Sequence, residues 1–240
     1  MARTWNADND ELTIASVPLT GVPLSVFARF KIDDITDFRT IFHIGDASTS
    51  NNYFRLDCRG GDGGDPLVAT TRDVGNVQWA ASTTGYSADT WHTGLAVFAA
   101  INDRRVYLDG GNKGTNTTSI TPTGVDKMSI GRSSDSSPSG HWRGSICEVC
   151  MWDVALSDAE ALALHLAIKP NHIRPADVVG YWPVWGLHSP EIDLSGQGNN
   201  MTVSNTPVRG NHGPAGLFTP NWAAGVPLIE VAAGGGFAHT

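Results

Sequence analysis

Thiols, imidazoles, hydroxyls and paired carboxylates carry most protein chemistry, so their spacing along this 240-residue chain comes first. Cys147 and Cys150 form one Cys-x-x-Cys with no second ligand pair, and Cys58 stands apart, which is too little for a zinc site or a disulfide framework. On a regular strand, positions 147 and 150 face opposite sides, which predicts buried thiols that neither pair nor chelate together. Serine, histidine and aspartate are all present, but no Gly-x-Ser-x-Gly elbow, Walker loop or dinucleotide fingerprint places them. The eight histidines are scattered. No standard catalytic motif is spelled out.

The bulk composition narrows the setting. With 40% hydrophobic residues, 17% charged residues and a formal charge of −8, the proportions are those of a globular protein, and disorder is excluded. Acid excess argues against nucleic-acid binding, because that affinity comes from clustered Lys and Arg, and Arg104–Arg105 is the one adjacent basic pair. No apolar run reaches the roughly 20 residues of a bilayer crossing, and residues 1–11 show no signal-peptide core. The expectation is a protein made in the cytosol, with no membrane insertion.

The apolar pattern that must position any site is that of strands. Leu24–Ile32 alternates, with Val26, Ala28, Phe30 and Ile32 on one face. Comparable runs are expected at Glu11–Ala15, Arg39–Ile44, Tyr53–Cys58, Leu67–Arg72, Asn76–Ser82, Gly94–Ile101, Arg105–Leu108, Lys127–Ile130 and Ser145–Trp152. Clusters of Gly, Asp, Asn and Ser separate them, as in an antiparallel sandwich. One helix starts at Ser157, where Glu160 completes a capping box, and is predicted to run to about Ile168 before Lys169–Pro170.

Five blocks in order then resemble a family: Asp89-Thr-Trp91-His92-Thr-Gly-Leu-Ala96-Val97, Val106-Tyr107-Leu108-Asp109-Gly110, Ile130-Gly131-Arg132, Gly144-Ser-Ile146-Cys-Glu148-Val149, and Ala155-Leu156-Ser157-Asp-Ala-Glu160. They are similar to laminin-G-like, concanavalin A-like lectin domains. The resemblance covers about Glu11 to Ile168 and implies an all-β fold: a two-sheet antiparallel jelly-roll sandwich with one short helix. Tyr181-Trp182-Pro183 and Asp193-Leu-Ser195-Gly196-Gln-Gly198-Asn199 resemble an opening strand and turn that normally precede such a domain, yet here they follow it. Either 178–184 or 201–204 is therefore expected to pair back into the sandwich, giving a body of residues 1–204 completed by 178–204. Residues 205–240 are rich in Pro and Gly and are expected to form an extended arm that grips a partner through Trp222, Val226, Leu228, Ile229 and Phe237. The downstream block also looks like jelly-roll proteins encoded among bacteriophage structural genes.

The resemblance implies further expectations about activity. Retaining glycanases of related sandwiches carry Glu-x-Asp-x-x-Glu, and the nearest match, Glu191-Ile-Asp193-Leu-Ser195-Gly196, lacks the last carboxylate. Many laminin-G-like and pentraxin-like domains hold a rim Ca²⁺, and Asp46, Asn51, Asn52, Asp62, Asp65, Asp135, Asp193 and Asn199 could supply loop oxygens, so Ca²⁺ is an open cofactor. Cys147 replaces the Asp of the family's Gly-x-Ile-Asp-Glu-Val strand, which weakens that route. His92 is read as a satisfied structural side chain. Glycan binding is the activity the family implies first, with Tyr53, Trp79, His141 and Trp142 as carbohydrate-binding candidates. The resulting expectation is a non-enzymatic virion structural protein of a bacteriophage, a capsid or tail decoration. Its partners would be other virion proteins, further copies of itself and host surface glycans. A free-standing carbohydrate-binding module is the alternative, and a glycoside hydrolase the third reading.

Overall fold

A computed structural model describes residues 1–14, 16–205 and 207–211. Its strands are β1 (Ala2–Trp5), β2 (Glu11–Ile14), β3 (Leu24–Ile32), β4 (Phe38–Gly45), β5 (Tyr53–Arg59), β6 (Pro66–Arg72), β7 (Val77–Gly85) and β8 (Trp91–Ala100). After them come β9 (Asp103–Leu108), β10 (Gly111–Asn116), β11 (Lys127–Ile130), β12 (Gly144–Trp152), helix α1 (Asp158–His165), β13 (Val178–Trp182), β14 (Thr202–Ser204) and β15 (Val208–Gly210). All pairings are antiparallel. One sheet has the order β10-β9-β8-β3-β12-β1-β15 with β13 also beside β12, and the other β14-β2-β11-β4-β5-β6-β7. The expected jelly-roll sandwich is what forms.

Alternation explains the layers. Val26, Ala28, Phe30 and Ile32 of β3 face Phe42, Ile44, Phe54, Leu56, Leu67 and Ala69 of the second sheet in one continuous core. The opposite face of the eight-stranded sheet is only partly covered, where Phe27, Leu95, Tyr107, Cys150 and Trp152 pack beneath Leu156, Ala161 and Leu164 of the helical segment. The capping box forms as expected: the Ser157 side chain accepts from Glu160 N–H, and Glu160 reaches back to Ser157 N–H. The helix is shorter than predicted. Ala167 adopts a left-handed φ of 73°, and Ala167 and Ile168 donate to the carbonyls of Leu164 and Ala163, a Schellman stop that lies upstream of Pro170.

Both downstream segments, not just one, join the sandwich. β13 pairs with Val149–Trp152 of β12, and β14 pairs with β2. The edge of β12 is thereby shared, since β1 takes Gly144–Ile146. Between the two lies a bulge, where Cys147 opposes Arg29 and Cys150 opposes Phe27, with Glu148 at a φ of 55°. This corrects the expectation for the cysteines. Two residues of β12, Glu148 and Val149, oppose the single Ala28 of β3, so both thiols face the same side of the sheet. All three cysteines are buried thiols. No helix among the described residues is long and apolar enough to cross a membrane.

Candidate functional site

The face of the seven-stranded sheet turned away from the core carries an unusual polar lining. In β5 the even positions Phe54, Leu56 and Cys58 enter the core, so Tyr53, Arg55, Asp57 and Arg59 must point out. Register then aligns Ser129, His43, Arg55, Thr70 and Trp79 across β11, β4, β5, β6 and β7. Asp57 is fully buried and accepts from Arg55 Nε (3.0 Å), Thr40 Oγ1 (3.1 Å) and Thr70 Oγ1 (2.9 Å). A carboxylate in that position is compensated by one charge and two hydroxyls.

Guanidinium groups and rings interleave along this face. Arg55 lies 4.3 Å from the Tyr53 ring centre and 4.7 Å from that of Phe38, and Arg59 lies 5.0 Å from both Phe38 and Trp79. The series Tyr53, Arg55, Phe38, Arg59, Trp79 thus runs toward the sheet edge as a ladder of cation–π contacts. It ends in the open, because Trp79 on edge strand β7 is 42% exposed. Arg59 makes no side-chain hydrogen bond or ion pair among the described residues, and its Nε is buried without a partner.

The inner end of the ladder is roofed by the loop between β11 and β12. Gly131, at a φ of 96°, packs on the Trp5 indole, where any Cβ would collide, and Gly140, at 63°, packs on Thr40 and Phe38. Ser133 Oγ accepts from Arg55 (3.0 Å) and Gly140 O from Thr40 N–H (2.7 Å). Beneath the loop His43 is wholly buried, 3.9 Å from Asp135, with neither ring nitrogen hydrogen-bonded among the described residues. Burial, helped by the Arg55 and Lys127 charges, lowers its pKa to about 3, so it is neutral. Burial also raises that of Asp135.

The four glycan candidates separate. Trp79 is exposed at the end of the ladder. Tyr53 lies on the same face but is only 3% exposed under Arg55 and beside His43, so it supports the ladder and offers no ring to a ligand. Trp142 has no exposure at all: its backbone N–H donates to Gly131 O, the loop turns inward, and the indole stands edge-on to Phe30 in the core. That corrects its reading as a binding platform. His141 is half-buried beside the ladder and its carbonyl accepts from Arg39 (3.0 Å). Reasoning from sequence missed Arg55 and Arg59, although the alternation of β5 already placed both outward. The arm residues Trp222, Val226, Leu228, Ile229 and Phe237 lie outside the described residues.

Other constellations resolve into structural roles. Glu191 is buried against Arg3 (2.8 Å), and Asp193 accepts from the N–H groups of Tyr181, Ser195 and Asn199 and from Ser195 Oγ, so the two carboxylates of the near-glycanase motif hold the downstream turn. Asp46 and Asp135 likewise accept from loop N–H groups, as turn residues do. Among the described residues no group of three or more His, Cys, Asp or Glu is placed to hold a metal ion. His92 bonds Asp109 (2.7 Å) through Nδ1, while Nε2 accepts from Ser87 N–H (3.1 Å) and lies 3.2 Å from Ser87 Oγ. This Ser–His–Asp chain fastens the β7–β8 turn.

Residues 6–161, more than half the chain, match the concanavalin A-like lectin/glucanases superfamily. The chain belongs to that superfamily. Similar solved structures include a Bacteroides ovatus protein described as a carbohydrate binder (17% identity, TM-score 0.59), which covers 88% of this chain and 61% of its own length. The CBM40 module of a Ruminococcus gnavus sialidase matches at 13% identity and TM-score 0.55, over 69% of this chain and 98% of the module. A heptameric pentraxin from Limulus polyphemus matches at 15% identity and TM-score 0.53, over 68% of this chain and 81% of its own. At these identities the likeness is one of fold. Comparison with curated proteins returns no match.

Proposed function

We propose that the chain is a non-enzymatic carbohydrate-binding protein whose ligand lies on the outward face of the seven-stranded sheet. The observation that carries this reading is Trp79, a large exposed ring at the end of a face lined with guanidinium, carboxylate and hydroxyl groups. A pyranose stacks its C–H face on an indole while Arg59 beside it, which has no hydrogen bond or ion pair among the described residues, donates to its hydroxyls. The name of the R. gnavus module and the description of the B. ovatus protein support the class. Absence of catalysis is part of the proposal, since Glu191 and Asp193 are engaged in structural bonds. The test is titration of the protein with a soluble glycan panel. Trp79→Ala should weaken the bound member about tenfold, roughly 1.4 kcal/mol, the order that an aromatic contact contributes beyond its buried area. Prolonged incubation should release no shortened sugar. No binding at millimolar glycan would overturn the reading.

The finer setting we propose is a bacteriophage particle, as a capsid or tail decoration that touches host glycans. Two features favour it: the resemblance of the Tyr181–Asn199 block to proteins of phage structural genes, and the Pro/Gly-rich segment beyond residue 205 with its apolar anchors. Size-exclusion chromatography separates this setting from a free-standing module. A decoration protein is recovered as an oligomer or in large assemblies, and a module as a monomer.

A further inference from the structure

We propose that the sugar taken by this face carries a carboxylate, and that Arg59 is the residue that selects it. The inference rests on the glycan reading above and deepens it. The two arginines nearest to it are already committed. Arg39 bonds Asp34, Asp37 and the carbonyl of His141, and Arg55 bonds Asp57 and Ser133. Arg72 also makes no side-chain hydrogen bond, but it lies outside the cation–π ladder. Arg59 alone on the ladder has neither a hydrogen bond nor an ion pair among the described residues, and it stands next to Trp79, the exposed ring of the ladder.

The geometry restricts what can satisfy it. Phe38 and Trp79 each lie 5.0 Å from the guanidinium carbon, so stacking holds the side chain and leaves only the edge of its plane for bonding. The edge of a guanidinium is a fork of parallel N–H donors whose spacing matches the two oxygens of a carboxylate. A neutral hydroxyl would accept one bond and leave the charge uncompensated. The chain as a whole carries −8, so general attraction does not favour an anionic ligand, and selection must come from this local site.

The experiment compares matched ligands on the full-length protein by calorimetric titration: lactose against its α2,3- and α2,6-sialylated forms, and a glucose oligomer against one ending in glucuronate. The acidic member of at least one pair should bind tenfold or more tightly than its neutral partner, and raising salt from 50 to 500 mM should shrink that preference. Arg59→Gln should abolish the preference, whereas Arg59→Lys, which keeps the charge but not the fork, should keep part of it. Equal affinity for both members, or a preference that survives Arg59→Gln, overturns this inference and leaves the glycan reading standing. Failure of all five ligands and of the wider panel overturns both. Were Arg59→Gln to misfold, the neutral-to-acidic comparison and its salt dependence on the unaltered protein still decide.

Discussion

The buried clamp between Arg3 and Glu191 ties the first strand to the segment that follows the helix, and its loss should be the most damaging single change away from the core. Arg3 Nε donates to Glu191 at 2.8 Å, and the guanidinium also donates to Pro207 O (3.2 Å) and to His188 O, while Glu191 accepts from Trp185 N–H (3.2 Å). Removing one partner of a buried ion pair costs about 3–5 kcal/mol, because the other charge is stranded. Arg3 keeps two carbonyl acceptors, so Glu191→Leu should fall near the lower end, about 3 kcal/mol. For a domain of this size, roughly 2–4 °C per kcal/mol makes that a fall in Tm of about 6–12 °C. Urea unfolding followed by tryptophan fluorescence measures it, with Arg3→Met and the double variant completing a cycle. The double variant should cost at least about 2 kcal/mol less than the sum of the two singles. Additive singles, or a loss below about 1 kcal/mol for Glu191→Leu, would refute the idea that this bond closes the sandwich.

Other outcomes follow from named contacts. His43 has an ordinary value of 6.5 and is held at about 3 in the fold, so the unfolded chain takes up that proton first and stability declines as pH falls from about 6.5 toward 3. His43→Leu should flatten this part of the stability profile, measured by urea midpoints at pH 7 and pH 5; an unchanged slope would count against it. Glu11 is held below the usual carboxylate range: burial opposes this, but hydrogen bonds from Arg132 and Ser134 outweigh it. Its contribution is present above about 4.5 and lost on further acidification, so Glu11→Gln should lose stability mainly at neutral pH, as a pH series of melts would record. Trp142→Ala empties a fully buried indole site and should cost about 3–5 kcal/mol by denaturant unfolding. Ser157→Ala removes the capping box and should cost about 1 kcal/mol by the same measurement.

Much of this architecture was legible in advance, for physical reasons that particular residues display. Period-two alternation located β3 at Leu24–Ile32 and β11 at Lys127–Ile130 without error, and the spacing of Ser157 and Glu160 located the helix start. What escaped depended on partners distant along the chain. β1 and β10 have weak alternation and exist because β12 and β9 supply their bonds. The bulge at Glu148 places a non-glycine residue at positive φ, a choice that local preference does not announce. Trp142 reads as a loop aromatic, and only the inward turn between Gly131 and Gly140 shows it to be core. At the candidate site, Tyr53, Arg55 and Arg59 share a face by alternation alone, but their interleaving with Phe38 and Trp79 needs the register of three other strands.

Completion of both sheets by β13 and β14 also bears on how the protein is made. Translation releases β2 and β12 long before the strands that flank them, so a nascent chain halted after α1 would expose the Val149–Trp152 edge and the outer edge of β2 together. Bare edges of that kind invite pairing with other chains. The sandwich can therefore close only once residue 204 has been made, and termination before that point should yield insoluble fragments instead of a smaller working domain.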